Sequence, residues 1–308
     1  MAPEIRTSRY APLALFVYNR PWHTRQAVEA LLASSIAAES QLYVFSDAPR
    51  NEAASHMVAE VRSYIYSLAG FKTITIVERE TNLGLAQSII DGVTRLCEEY
   101  GRVIVLEDDL VTSPYFLQYM NDGLDVYEHA ERVVSIHGYV YPLKATLPET
   151  FFLRGADCWG WATWKRGWDL FEPDGQVLLR ELTGRKLTHS FDFDSTYPYT
   201  KMLKKQIKGK NDSWAIRWYA SAFLKNKLTL YPGRSLVLNI GMDNSGTHCS
   251  TTSDFAGEIA DSPVRIEPIP VEEHLLARQQ IVRFHEAIRP PMPARIFRKL
   301  ISMARHAK

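Results

Sequence analysis

Three consecutive carboxylates, Glu107-Asp108-Asp109, follow directly on the apolar run Val103-Ile104-Val105-Leu106. Adjacent anions repel one another, so such a triplet needs solvent, a cationic side chain or a divalent cation to offset the cost. A hard cation held by one or two of these oxygens keeps open coordination positions, which suits a diphosphate. A solvated acidic loop has the same composition, and what favours chemistry here is delivery of the acids by a strand. Walker B strands also end in acids, but GxxxxGK[S/T] is absent, which disfavours a P-loop hydrolase. GxGxxG, HExxH, CxxC and GxSxG are missing too, which weighs against common dinucleotide enzymes, zinc proteases, zinc ribbons and serine hydrolases.

The acids need a scaffold, and the first third of the chain supplies a regular one. Apolar, β-rich runs at 13–18, 42–45, 73–77 and 103–106 alternate with helical patterns at 24–32, 53–68 and 85–100. In the last of these, Ile89, Val93, Leu96 and Tyr100 recur at three- and four-residue steps, as one buried helix face requires. Strands separated by such helices imply right-handed crossovers and a parallel sheet. Each run ends in polar residues: Asn19-Arg20, Ser46-Asp47, Glu78-Arg79 and Glu107-Asp108-Asp109. Ligands of open parallel sheets bind at the carboxyl ends of strands, so these four ends are expected to converge on one site.

Further along, the spacing predicts a helix over 114–130 and a strand over 133–136. A dense aromatic run follows, Cys158-Trp159-Gly160-Trp161-Ala162-Thr163-Trp164, with Trp168 just beyond. A loop-like stretch at 191–198 precedes a helix starting near Asp212, and strand-like runs cover 227–231 and 236–240. From Val271 the pattern is helical until Pro290-Pro291-Met292-Pro293. The segment 294–308 then carries Arg295, Arg298, Lys299, Arg305 and Lys308 with no acid, interleaved with apolar side chains. That composition suggests peripheral contact with an anionic membrane, with packing on the catalytic domain as the alternative.

Composition limits the choices. A chain of 308 residues with 46% hydrophobic and 23% charged residues is an ordinary globular sequence. Its formal net charge of +1 gives no reason to expect nucleic acid as partner. Cys97, Cys158 and Cys249 are odd in number and far apart, which fits free thiols and a cytoplasmic location. The run at 13–18 is too short to span a membrane and has no small-residue cleavage site behind it, so a signal peptide is not expected.

From Leu13 to Cys249 the chain resembles the GT-A glycosyltransferases, and more specifically bacterial sugar transferases related to the N-acetylglucosaminyltransferase I family. The resemblance rests on Asn19-Arg20-Pro21, Ser46-Asp47, Thr81-Asn82-Leu83-Gly84-Leu85-Ala86, Glu107-Asp108-Asp109, the tryptophan run and Gly241-Met242-Asp243-Asn244-Ser245-Gly246-Thr247-His248, in that order. It implies an α/β, Rossmann-like GT-A domain over 1–250. That domain divides into a nucleotide-binding half at 1–112 and an acceptor-side half at 113–250, with an extension at 251–308.

The resemblance also implies roles. Asp47 would accept the imide hydrogen of uracil. Asn19 and Arg20 would meet phosphate or nucleoside. Asn82 and Gly84 would bring the donor close to the helix beginning near Leu85. Asp109 would coordinate Mn²⁺ or Mg²⁺ together with His248, while Asp108, and with less definition Glu107, would contact ribose or donor sugar. Asp212 would be the general base, with a helix N-cap as its structural alternative and Asp157 or Asp169 as substitutes. Trp159, Trp161 and Asp157 would face the acceptor, although the tryptophans serve equally well as core.

The implied reaction is an inverting transfer from a UDP-sugar, UDP-GlcNAc first, to a hydroxyl of a glycan or lipid-linked glycan. A sugar-nucleotide nucleotidyltransferase is the competing enzyme, but it calls for a glycine-rich basic loop where Asn19-Arg20-Pro21-Trp22 stands. A non-catalytic sugar-binding or scaffold protein would tolerate loss of the acidic triplet, which is intact.

Overall fold

The computed structural model describes residues 8–243 and 253–289. His248 and the 294–308 segment lie outside the described residues, and so do Cys249 and Asn244.

The first third of the chain builds as its periodicity requires. β1 (Leu13–Val17), α1 (Pro21–Leu32), β2 (Gln41–Ser46), α2 (Glu52–Tyr66), β3 (Thr73–Glu78), α3 (Leu85–Tyr100) and β4 (Arg102–Glu107) alternate along the chain. β5 (Leu110–Thr112), α4 (Phe116–Val126), β6 (Val133–His137), β7 (Thr150–Arg154), β8 (Trp161–Trp164), α5 (Lys165–Trp168) and α6 (Gly175–Gly184) follow. The remainder is α7 (Thr188–Phe191), α8 (Tyr199–Ile207), α9 (Trp214–Leu224), β9 (Leu228–Pro232), β10 (Val237–Asn239) and α10 (Leu275–Ala287).

The expected α/β architecture, a mostly parallel central sheet flanked by helices, is present. Eight strands lie in the order β3-β2-β1-β4-β8-β6-β9-β7. β3, β2, β1 and β4 run parallel, β8 is antiparallel to both its neighbours, β6 and β9 are parallel, and β7 closes the edge antiparallel to β9. β1 and β4 are central and buried along most of their length, which accounts for their unbroken apolar runs. β5 leaves the main sheet and pairs with β10 in a two-stranded ribbon.

Several features were not anticipated from the sequence, β7, α6 and α8 among them. The tryptophan run is a central strand, β8, inserted between β4 and β6, rather than an irregular segment. Residues 271–274 are also not helical: the chain makes a bridge from Glu273 to Phe152 first, and α10 starts at Leu275 behind a His274 cap. The 253–289 segment packs on the middle of the chain, with Tyr139 and Tyr127 donating to the carbonyls of Phe255 and Glu267. Ala277 and Ile281 of α10 join the apolar cluster around Phe151, Tyr219 and Phe223.

Candidate active site

The acidic triplet occupies a chain reversal. β4 ends at Glu107, Asp108 and Asp109 form the turn, and β5 starts at Leu110. The ribbon holds the turn in place: Leu110 pairs with Asn239, and the Ile240 amide donates to the Asp109 carbonyl at 2.9 Å. Gly241 therefore lies flat against the Asp109 carboxylate. A β-carbon there would sit 2.2 Å from Asp109 Oδ2, so no larger residue fits without moving the acid.

In register, Phe16 of β1 stands beside Glu107, which brings Arg20 from the end of β1 to the triplet. Its guanidinium bridges two acids, hydrogen-bonded to Asp108 and with Nη1 3.0 Å from Asp109 Oδ2. Burial opposes the charge on Arg20, but Asp108 and Asp109 outweigh it and hold Arg20 above its ordinary value. Glu107 is raised by burial and then by the charges of Asp109 and Asp108. Asp108 is raised by burial, against the opposing pull of Arg20.

One guanidinium against three carboxyls leaves negative charge in excess, and Asp108 Oδ2 is buried without a hydrogen-bond partner. Hard oxygen donors, one of them unpartnered, fit a divalent cation of the magnesium or manganese type. Among the described residues no group of three or more His, Cys, Asp and Glu side chains forms a ready-made metal cage. The protein's share of ligation would thus be Asp109 and Asp108, with other positions left to the donor diphosphate. The proposed ligand His248 lies outside the described residues. His23, near the start of α1, was not singled out from the sequence; its Nε2 lies 3.1 Å from Asp243 Oδ2 and its charge is felt at Asp108.

Asp47 has a different role from the one expected. Its two carboxylate oxygens accept four hydrogen bonds, from the amides of Ala48, Leu83 and Gly84 and from Asn82 Nδ2, at 2.8–3.1 Å. Four donors match the capacity of a carboxylate, so no free acceptor remains for a uracil imide. Asp47 and Asn82, which also donates to the Ala48 carbonyl at 2.6 Å, instead lock the 82–84 loop to the end of β2. Gly84 follows at φ 77°, a backbone shape that favours glycine, and serves as the uncapped N-terminal residue of α3. Asn19 is half-buried at the end of β1.

Asp212, just before α9, reaches this loop, its Oδ2 lying 3.9 Å from where a Gly84 β-carbon would be. It is not the cap of α9: Ser213 fills that position, its hydroxyl accepting from the Ile216 amide. Asp212 is 67% exposed and its nearest cation is Arg217, at 3.7 Å. Asp169, one of the substitutes, caps the C-terminal end of α5 and is instead bound to Lys165 at 2.7 Å.

Ser213 also lines a cavity of about 210 Å³ built from residues between Tyr139 and Phe255. Asp157 and Cys158 stand at its polar end, and Tyr139, Trp159, Tyr197, Tyr231 and Phe255 contribute aromatic walls. Met242 lines it too, and its neighbour Gly241 packs directly on the Asp109 carboxylate. The cavity therefore adjoins the acidic turn. Its tyrosines come from separate stretches of the chain, Tyr139 and Tyr141, Tyr197 and Tyr199, Tyr219 and Tyr231, and only the fold gathers those stretches.

Trp159 lines the cavity, packed on Tyr139 and Phe255 at ring distances of 4.7 and 6.0 Å. Trp161 does not: it is fully buried on β8, stacked on Trp214 at 5.4 Å and packed against Trp168 and Trp218. Alternation along a strand sends residues two apart to the same face only while the strand continues, and Gly160 at φ 64° breaks that relation. Trp161 is therefore corrected from acceptor contact to core.

No family model matches the chain. No curated protein matches it either. Solved structures do, and three are similar as follows. The mannosyltransferase PcManGT from Pyrobaculum calidifontis, in complex with GDP-Man and Mn²⁺, is 14% identical with a TM-score of 0.30, over 45% of this chain and 38% of that one. S. aureus TarS 1–349 is 9% identical with a TM-score of 0.39, over 74% of this chain and 59% of that one. A Desulfovibrio desulfuricans G20 protein assigned as a nucleotide-diphospho-sugar transferase is 12% identical with a TM-score of 0.33, over 55% and 69%. The chain thus spans less than two thirds of the first two.

Proposed function

We propose that the chain is a nucleotide-sugar glycosyltransferase, with a UDP-sugar such as UDP-GlcNAc as donor and a glycan or lipid-linked glycan as acceptor. The observation that carries this reading is the adjacency of the acidic turn, with its excess negative charge and unpartnered Asp108 oxygen, to an aromatic cavity of the acceptor half. A charged diphosphate and a sugar face need those two environments side by side.

The residues divide the work. Asp109 and Asp108 would hold Mn²⁺ or Mg²⁺, which, when bound, neutralises the diphosphate as leaving group. Arg20, released from the two acids, supplies a planar multi-donor cation to the phosphates. The 82–84 loop, locked by Asp47, sets the approach of the donor to α3. Asp212 faces that loop with a largely exposed carboxylate and takes the proton as the acceptor hydroxyl attacks with inversion, a role typically worth about 10²–10⁴-fold. Asp157 and Trp159 hold the acceptor. Among the described residues no helix is long and apolar enough to cross a membrane. Contact with the inner face of the cytoplasmic membrane through 294–308 belongs to the same proposal.

The test is a screen of nucleotide-sugars, with and without Mn²⁺, read as release of nucleoside diphosphate. Metal-dependent release from one donor class, lost in Asp109→Ala, is the expected result. Release that ignores both metal and Asp109 would remove the acidic turn from the reaction.

A further inference from the structure

The charge balance of the acceptor-side cavity points to the kind of group it takes. Among the described residues that line it, Asp157 is the one acid and Arg154 the one cation. Arg154 is committed elsewhere: its Nε and Nη2 donate to the Phe223 carbonyl at 3.1 and 2.9 Å, and its guanidinium lies 4.0 Å over the Phe223 ring. Asp157 is 28% exposed, and the nearest side-chain nitrogen among the described residues is His137 Nε2 at 3.7 Å. His137 is fully buried, and burial lowers its affinity for a proton despite the neighbouring Asp157, so it remains neutral. The other contacts to Asp157 are the Cys158 amide at 2.9 Å and a long one from the Tyr231 hydroxyl at 3.5 Å. Among the described residues, the cavity therefore presents a carboxylate with no cationic partner inside a ring of aromatic faces.

We infer that this cavity binds a protonated amine, so that the acceptor carries a free amino group, as an amino sugar does. The inference rests on the glycosyltransferase reading only in calling the ligand the acceptor. An ammonium brings three N–H donors and a charge to Asp157, and the rings of Tyr139, Trp159, Tyr197 and Tyr231 add cation–π attraction in a partly desolvated space. A hydroxyl or acetamido group at the same place offers hydrogen bonds alone and leaves the carboxylate charge unmatched. Burial, reinforced by the charge of Asp157, raises the phenols of Tyr139, Tyr197 and Tyr231, so the walls stay neutral and do not compete for the cation.

The experiment uses the full chain without donor or metal, titrated with protonated glucosamine, N-acetylglucosamine and glucose. Binding is read from the fluorescence of Trp159, with a Trp159→Phe control, and from thermal protection. Glucosamine is expected to bind about ten-fold or more tightly than the two neutral sugars. Asp157→Asn is expected to reduce it to their level. Equal or tighter binding of N-acetylglucosamine or glucose to the wild type overturns the inference, and that comparison needs no folded variant. Because nothing in the titration involves nucleotide, the amine preference stands or falls apart from donor turnover.

Discussion

Gly241 and Asp109 touch so closely that a single methyl group on the glycine would overlap the carboxylate, at 2.2 Å from Oδ2. The contact is made by the β5–β10 ribbon, which pairs Leu110 with Asn239 and carries the two residues past each other. Gly241→Ala is therefore expected to displace Asp109 while leaving the main sheet intact. Titration of UDP in the presence of Mn²⁺ should show affinity lowered at least about ten-fold in Gly241→Ala, and by more in Asp109→Ala. Unchanged affinity in both variants would dissociate the acidic turn from the donor.

Asp212 makes no cap and little of the fold, so its removal should affect chemistry more than stability. Asp212→Asn is expected to lower the rate of transfer by about 10²–10⁴-fold with donor affinity nearly unchanged. Single-turnover rates and UDP titration measure the two separately. If turnover persists near the wild-type rate, the base lies elsewhere, and Asp157 is the next carboxylate on the acceptor side.

The two neighbouring tryptophans should separate cleanly. Trp161→Ala empties a fully buried site between Trp214, Trp168 and Trp218 and is expected to cost about 3–5 kcal/mol in denaturant unfolding. Trp159→Ala, on the cavity wall, is expected to cost less and to weaken acceptor binding instead. A similar loss of stability in both would place Trp159 in the core as well.

His285 on α10 gives the fold an acid-sensitive point. It is almost fully buried against Tyr141, Tyr197 and Phe193, and neither ring nitrogen has a hydrogen-bond partner. Burial, with Arg289 adding repulsion, lowers it from 6.5 to about 4. Between those values the unfolded chain binds the proton and the folded chain does not, so stability rises with pH. Its contribution is complete above pH 6.5 and is lost as pH falls toward about 4, a change on the order of 3 kcal/mol. His285→Phe should flatten that part of the pH–stability curve in urea titrations at pH 7 and pH 4.5; parallel curves for the two proteins would exclude His285 as the cause.

By itself the sequence determined the alternating strands and helices of the first third. Its strands and helices announce themselves because each is a local pattern: unbroken apolar runs for strands covered on both faces, and three- and four-residue steps for helices with one buried face. The acids at the end of β4 and the arginine after β1 were legible for the same reason, since a strand end is a local event. Only the tertiary structure decided what those residues touch. Asp47 read as a ligand-binding acid, yet the 82–84 loop, more than thirty residues on, supplies the donors that saturate it. Trp159 and Trp161 both read toward the acceptor, with core as the alternative, yet β8 pairs between β4 and β6 and buries Trp161 while Trp159 faces the cavity. The cavity itself, with Asp157 among tyrosines from separate stretches of the chain, has no sequence signature at all. Long-range pairing and the saturation of a carboxylate depend on which distant groups arrive, and no local period encodes that.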